Sequence, residues 1–298
     1  DIVETAKALT GWHVNYEFFS ISFQAGIHDN GNKTIFGQTG NWGYSDVIDI
    51  LFQQHTDRIA TFICQKLYRF FVNPEIDDTI ISELATTFKN NNFEIAPVLR
   101  QLFKSEHFFD EHNIGSIVKS PTDALLPMAR VLELPFNIVL EEEVDPDTGA
   151  VYQFKWQHYL YWGMEVMGQR MFMPIDVAGW PGNRVWLNSN NLTIGWQYLD
   201  WLTWYTFDNQ PDLLRELAKQ LSNFSSDPAV ITMSVVDYFI PKGLQTPEAY
   251  QIAIDRFKWE IPETYYENGT WNLDWDQAPL QMVVLLQHII RQPDFQLF

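Results

Sequence analysis

Basic residues are scarce in this chain: 19 Lys and Arg stand against 38 Asp and Glu, a net charge of −19 at neutral pH. A surface so negative repels phosphate backbones and anionic lipid, which disfavours nucleic-acid binding and electrostatic attachment to membranes. Cysteine is nearly absent as well. Cys64 stands alone, so no intrachain disulfide can form, and its apolar helical surroundings are those of a small buried hydrophobe. No stretch approaches the roughly 20 apolar residues of a membrane-spanning helix. No flexible linker, heptad run or fixed-period repeat divides the chain. Neither HExxH nor a cysteine pair is present to announce a metal site.

What the chain has in quantity is aromatic surface, with 12 Trp, 12 Tyr and 22 Phe in 298 residues. With 46% apolar and 19% charged residues it is an ordinary globular composition. So many large flat side chains line either an aromatic core or a surface for sugars and peptides, and general burial tendencies favour the core. The opening DIVETAKALTGW reads as the middle of an amphipathic helix, with Ile2, Val3, Ala6 and Leu9 on one face. The expectation is a processed or partly observed chain with an upstream portion, including any export signal, missing.

Helical periodicity dominates the rest. Apolar residues recur at three- and four-residue spacing from Ser45, again over Ile59 to Phe71, and at about 76–89 and 94–104. Ser120-Pro121-Thr122-Asp123 supplies a cap, a proline at the first helical position and an acidic third residue, a strong helix start. An aromatic helix is predicted from Tyr152 to Met167. Thr193 to Phe207 is apolar almost all round and reads as a central helix. Proline and cap signals open four more at Pro211, Pro228, Pro247 and Ala278. Asn30-Gly31, between Ile21–Asp29 and Asn32–Gly37, accepts positive φ at both positions and predicts one small β-hairpin over about 21–37. The fold class that follows is mainly α, an irregular multi-helix single domain with that one hairpin. The acidic run Glu141 to Gly149 reads as a turn between two helices, since its proline and missing later ligands do not suit a calcium loop.

The stretch around which the chain is organised is Met167 to Asn191, MGQRMFMPIDVAGWPGNRVWLNSNN. Pro174, Pro181, Gly179 and Gly182 fix a special backbone course, as a binding loop requires. It carries Trp180 and Trp186, the carboxylate Asp176, and amides including Gln169 and Asn188. Indole faces beside amides suit sugar rings, and tryptophan is equally an anchor at protein interfaces. Lys119 adds a basic group just before the helix that Ser120 opens. The candidate binding residues are therefore Trp180, Trp186, Gln169, Asn188 and Lys119.

Several of these motifs together resemble a bacterial family catalogued as domain of unknown function 1800. They are LTGW at 9–12, HDNGNKT at 28–34, SDVIDILFQQHTDRIATFICQKLYRFFV at 45–72, IVKSPTD at 117–123, MGQRMFMPIDVAGWPGNRVW at 167–186, and the closing PDFQLF. The resemblance implies an exported, mostly helical protein, often encoded beside a sulfatase-like partner family and commonly longer at its N terminus. Members tend to carry a second proline near Met173-Pro174 and a glycine where this chain has Asn183. No established reaction comes with the family.

Two functional classes follow. The first is an exported cell-envelope binding or assembly component, acting on polysaccharide or on a protein partner, with a sulfatase-like envelope protein as the partner the resemblance implies. The second is a hydrolase using Asp176 with His28 and Asp29, supported by Lys119 or Lys66 and open to metal assistance, which requires those groups to converge. No metal site and no cofactor are predicted.

Overall fold

The computed structural model describes residues 1–18, 20–136 and 139–298. The chain divides into two compact units, Asp1–Phe108 and Phe109–Phe298. No flexible linker marks the division; the single-domain expectation rested on that lack.

The first unit begins with α1 (Ile2–Ala8) and two antiparallel strand pairs, β1 (Trp12–Asn15) with β2 (Ser20–Phe23) and β3 (Lys33–Ile35) with β4 (Gln38–Gly40). Four helices follow: α2 (Tyr44–Gln54), α3 (Thr56–Phe71), α4 (Asp78–Asn90) and α5 (Ile95–Lys104). The apolar faces of α3, α4 and α5 meet in a core built from Ala60, Cys64 and Tyr68 of α3, Ile81, Leu84 and Phe88 of α4, and Val98 and Leu102 of α5, while Val47 and Ile50 of α2 pack with Ala8 and Ile35. The hairpin expected around Asn30-Gly31 is not there. The two-residue turn is instead Phe36-Gly37, with φ of 48° and 79°, and Ile35 pairs with Gln38 across it. Asn30-Gly31 lies in a loop tied by Asp29, whose Oδ1 accepts the Gly31 N–H at 2.8 Å. That local bond satisfies the backbone without strand pairing.

The second unit holds α6 (Pro121–Val131), the pair β5 (Val139–Val144) and β6 (Val151–Lys155), α7 (Trp156–Val166), α8 (Ser189–Asn209), α9 (Pro211–Leu221), α10 (Pro228–Phe239), α11 (Pro247–Phe257), the short α12 (Glu263–Glu267) and α13 (Ala278–Ile289). The protein is thus mainly α, with three two-stranded sheets among the described residues instead of one hairpin. The acidic run is a turn, but between strands: Asp145 Oδ1 accepts the N–H groups of Asp147 and Thr148 at 2.8 and 2.9 Å, while Glu141 to Val144 pair with Val151 to Phe154. The helix expected from Tyr152 therefore starts at Trp156.

The central helix of this unit is α13, which buries Met282, Val283, Leu285, Leu286 and Ile289 and meets α8, α9 and α11. α8, expected to be central, is one-sided. Its buried stripe runs through Gly195, Leu199, Leu202, Thr203 and Thr206, while Trp201 and Trp204 remain 37% and 40% exposed. The stripe is small or polar in part, so residue type along the helix hid the true periodicity. Trp156 of α7 fills the α7–α8 contact, its ring centroid 4.3 Å from Trp201 and 4.7 Å from Tyr205. Most of the aromatic surplus between residues 152 and 207 is spent on such packing. Among the described residues no helix is long and apolar enough to cross a membrane.

Candidate functional site

Within the second unit, three segments distant in sequence meet at the start of α6. The closing residues lie antiparallel to the strand-like lead into that helix: Phe298 N donates to Ile117 O at 2.9 Å and Lys119 N to Gln296 O at 2.8 Å. Ser120 caps α6, and Asp123 returns the bond through Oδ2, accepting from Ser120 N at 3.0 Å. The third segment arrives through Gln169, whose Oε1 accepts from both N and Oγ1 of Thr122 at 2.8 Å. Gln169 is thereby a remote cap for a helix N-terminus, a structural duty that exhausts its acceptor toward this face.

Lys119 is the charged group at this junction. Its ammonium donates to Phe295 O at 2.6 Å and sits 4.0 Å from the centre of the Phe295 ring. Burial pushes its pKa down to about 8, with the Asp123 carboxylate opposing the shift. It stands at the edge of a pocket of about 360 Å³ walled by Pro127, Met128, Val131, Tyr238, Phe239 and Phe295. Sequence reading singled out Lys119 but missed these walls. They come from α6, α10 and the closing segment, and only the fold brings them together.

The loop 167–191 joins α7 to α8. Trp186 is buried at 7% exposure in a 3₁₀ turn, Asn183–Trp186, and Trp180 is half-buried. Neither indole offers a fully open face. Asp176 is exposed and builds a tight turn, its Oδ1 accepting from Ala178 N at 2.7 Å and its carbonyl from Gly179 N at 3.2 Å. Asn188 caps α8 by accepting from Asn191 N at 3.0 Å and donates to Val185 O at 3.0 Å. Beside exposed polar groups such as Asp176 and Arg184, the loop presents apolar side chains outward: Phe172, Ile175 and Val177 are 90%, 77% and fully exposed. Ile175 also borders a shallow hollow of about 260 Å³ together with Pro181, Val185 and Trp186.

The pattern that defines DUF1800, described as a protein of unknown function, matches residues 1–297. The chain belongs to that family. No curated protein and no solved structure matches it. The Asn183 that departs from the glycine expected in DUF1800 members has φ of 48°, a left-handed conformation that asparagine tolerates better than other side chains.

The hydrolase candidates are distributed over both units, His28 and Asp29 in the first and Asp176 in the second. Each is engaged locally. His28 Nδ1 donates to Thr10 O at 2.9 Å, its ring lies 5.4 Å from Phe23, and Asp29 N donates to Thr10 Oγ1 at 2.8 Å. Lys33 is wholly buried and its ammonium bonds Asp29 O and, at 3.1 Å, Asn41 Oδ1. HDNGNKT and LTGW are therefore two halves of one stitched loop, in which the histidine holds backbone. Among the described residues no group of three or more His, Cys, Asp or Glu side chains gathers as a ligand set.

Proposed function

We propose that this member of DUF1800 is an exported cell-envelope binding or assembly component whose loop 167–191 docks a protein partner. One observation carries the choice of a protein over a glycan. The loop turns its indoles inward and its apolar tips, Phe172, Ile175 and Val177, outward, whereas stacking on sugar rings requires open indole faces. Several exposed apolar residues close together in one loop mark an interaction surface, and a chain of net charge −19 favours a partner with a basic rim. The sulfatase-like envelope protein that the family resemblance implies is the first partner to test.

The experiment mixes purified sulfatase-like neighbour with this chain and follows complex formation by calorimetry. Wild type is expected to bind, and the double variant Ile175→Asp, Val177→Asp to lose binding while keeping its melting temperature. A parallel titration with a glycan panel covers the competing reading. Saturable glycan binding that Trp180→Ala abolishes, with no protein complex, would overturn the proposal in favour of a sugar site.

A further inference from the structure

The pocket beside Lys119 combines features that loop docking does not use. Its walls are almost wholly apolar, and a volume of about 360 Å³ falls in the range of sites for small organic ligands, roughly 300–1,000 Å³. A single cation stands at its edge. Lysine has three N–H donors, and Lys119 places one on Phe295 O. The backbone donors at the start of α6 are taken by Gln169 and Ser120, so the ammonium is the group that would meet an anion. The other ionisable groups on the pocket wall are Asp123 and Tyr238. Asp123 Oδ2 is held by Ser120 N and Oγ at 3.0 and 2.6 Å, and its negative charge disfavours ligands of more than one negative charge.

We propose that this pocket binds a small organic monoanion with an apolar tail, a medium-chain carboxylate in chemical class, with Lys119 gripping the head and the Met128, Val131 and Phe239 wall covering the tail. Charge complementarity selects this occupant over a neutral one. A largely buried ammonium whose one hydrogen bond goes to a neutral carbonyl, Phe295 O, gains from a charge-assisted hydrogen bond to a carboxylate. The same geometry gives the site a pH signature. Lys119 loses its proton near pH 8, so carboxylate binding weakens as pH rises through that value.

The test uses decanoate and its uncharged analogue decan-1-ol, titrated calorimetrically against the full chain. At about pH 7 wild type should bind decanoate about tenfold or more tighter than decanol, the effect of one charge-assisted bond. Lys119→Arg should keep that preference and lose the fall in decanoate affinity between about pH 7 and about pH 9.5, because arginine does not deprotonate there. Lys119→Met should bind both probes alike. Because Asp123 and Tyr238 are common to all three proteins, the comparison isolates Lys119. Equal wild-type affinity for the two probes, saturation by neither, or an unchanged pH dependence in Lys119→Arg would each overturn the assignment. The wild-type comparison needs no variant to fold.

Discussion

Replacing Gln281 with leucine tests whether the second unit is held at its centre by a polar clamp. Gln281 lies on α13 at 1% exposure, an amide in the middle of an apolar helix. Its Oε1 accepts from Trp271 Nε1 at 3.1 Å, and its Nε2 donates to Phe257 O at 2.8 Å and Tyr266 OH at 2.7 Å. Trp271 and Phe257 are themselves buried, at 1% and 0%. Leucine fills the same space but leaves one indole N–H and one carbonyl without partners. Each of the two orphans costs about 1–3 kcal/mol, less about 1 kcal/mol regained from the added apolar surface, for a net loss of roughly 1–5 kcal/mol. Urea unfolding followed by tryptophan fluorescence reads this loss, since of the 12 tryptophans only Trp12 and Trp42 fall in the first unit. In a Trp271→Phe background, where the indole donor is already gone, Gln281→Leu should cost less by about 1–2 kcal/mol. A single-variant loss under about 0.5 kcal/mol, the scale of ordinary surface substitutions, would refute the clamp.

Trp186→Ala should destabilise by about 3–5 kcal/mol, the range for deleting a core aromatic, while Val177→Ser at the exposed tip stays within about 0.5 kcal/mol; paired melting curves distinguish them. Lys119 has a folded pKa of about 8 against an ordinary 10.5, so the unfolded chain holds that proton more tightly and stability rises with pH between those values. The difference in urea midpoint between wild type and Lys119→Met should shift accordingly from about pH 7 to about pH 10. Cys64 is fully buried and its thiol is pushed up to about 11 by burial. It should resist Ellman's reagent at about pH 8 in the native protein and react stoichiometrically once the chain is unfolded, as thiolate chemistry requires.

Helix starts were legible where chemistry at the end of the helix is local. α9, α10 and α11 begin at Pro211, Pro228 and Pro247 as the proline signal predicts, and Asp227 and Thr246 accept the N–H groups of Ala229 and Ala249 as caps should. Strands were less legible, because their pairing is decided at a distance. Phe36 sits at φ 48°, a turn position its side chain does not advertise, so the Asn-Gly pair drew the turn six residues too early. Glu141, Glu142 and Glu143 have weak strand propensity, yet they pair with Phe154, Gln153 and Tyr152. The bond from Tyr159 OH to Glu141 Oε2 at 2.6 Å ties that ribbon to α7.

The candidate site shows a sharper limit. Gln169 and Asn188 looked like ligand-facing amides because they are polar side chains in a constrained loop. Each is instead spent on a helix N-terminus, Gln169 on the Thr122 N–H and Asn188 on the Asn191 N–H. A sequence reports donors and acceptors but not which backbone groups fold into reach of them, and buried helix ends take priority because an unpaired N–H costs more than a lost surface contact. Lys119 obeys the same rule in part: it gives one donor to a backbone acceptor, Phe295 O, 176 residues away in sequence, and an ammonium has three donors. The same accounting moves the weight of function from the loop's polar side chains to what remains uncommitted after folding. In the second unit these include the outward apolar tips at Phe172, Ile175 and Val177 and the donors that Lys119, lining an apolar pocket, has beyond the one given to Phe295 O.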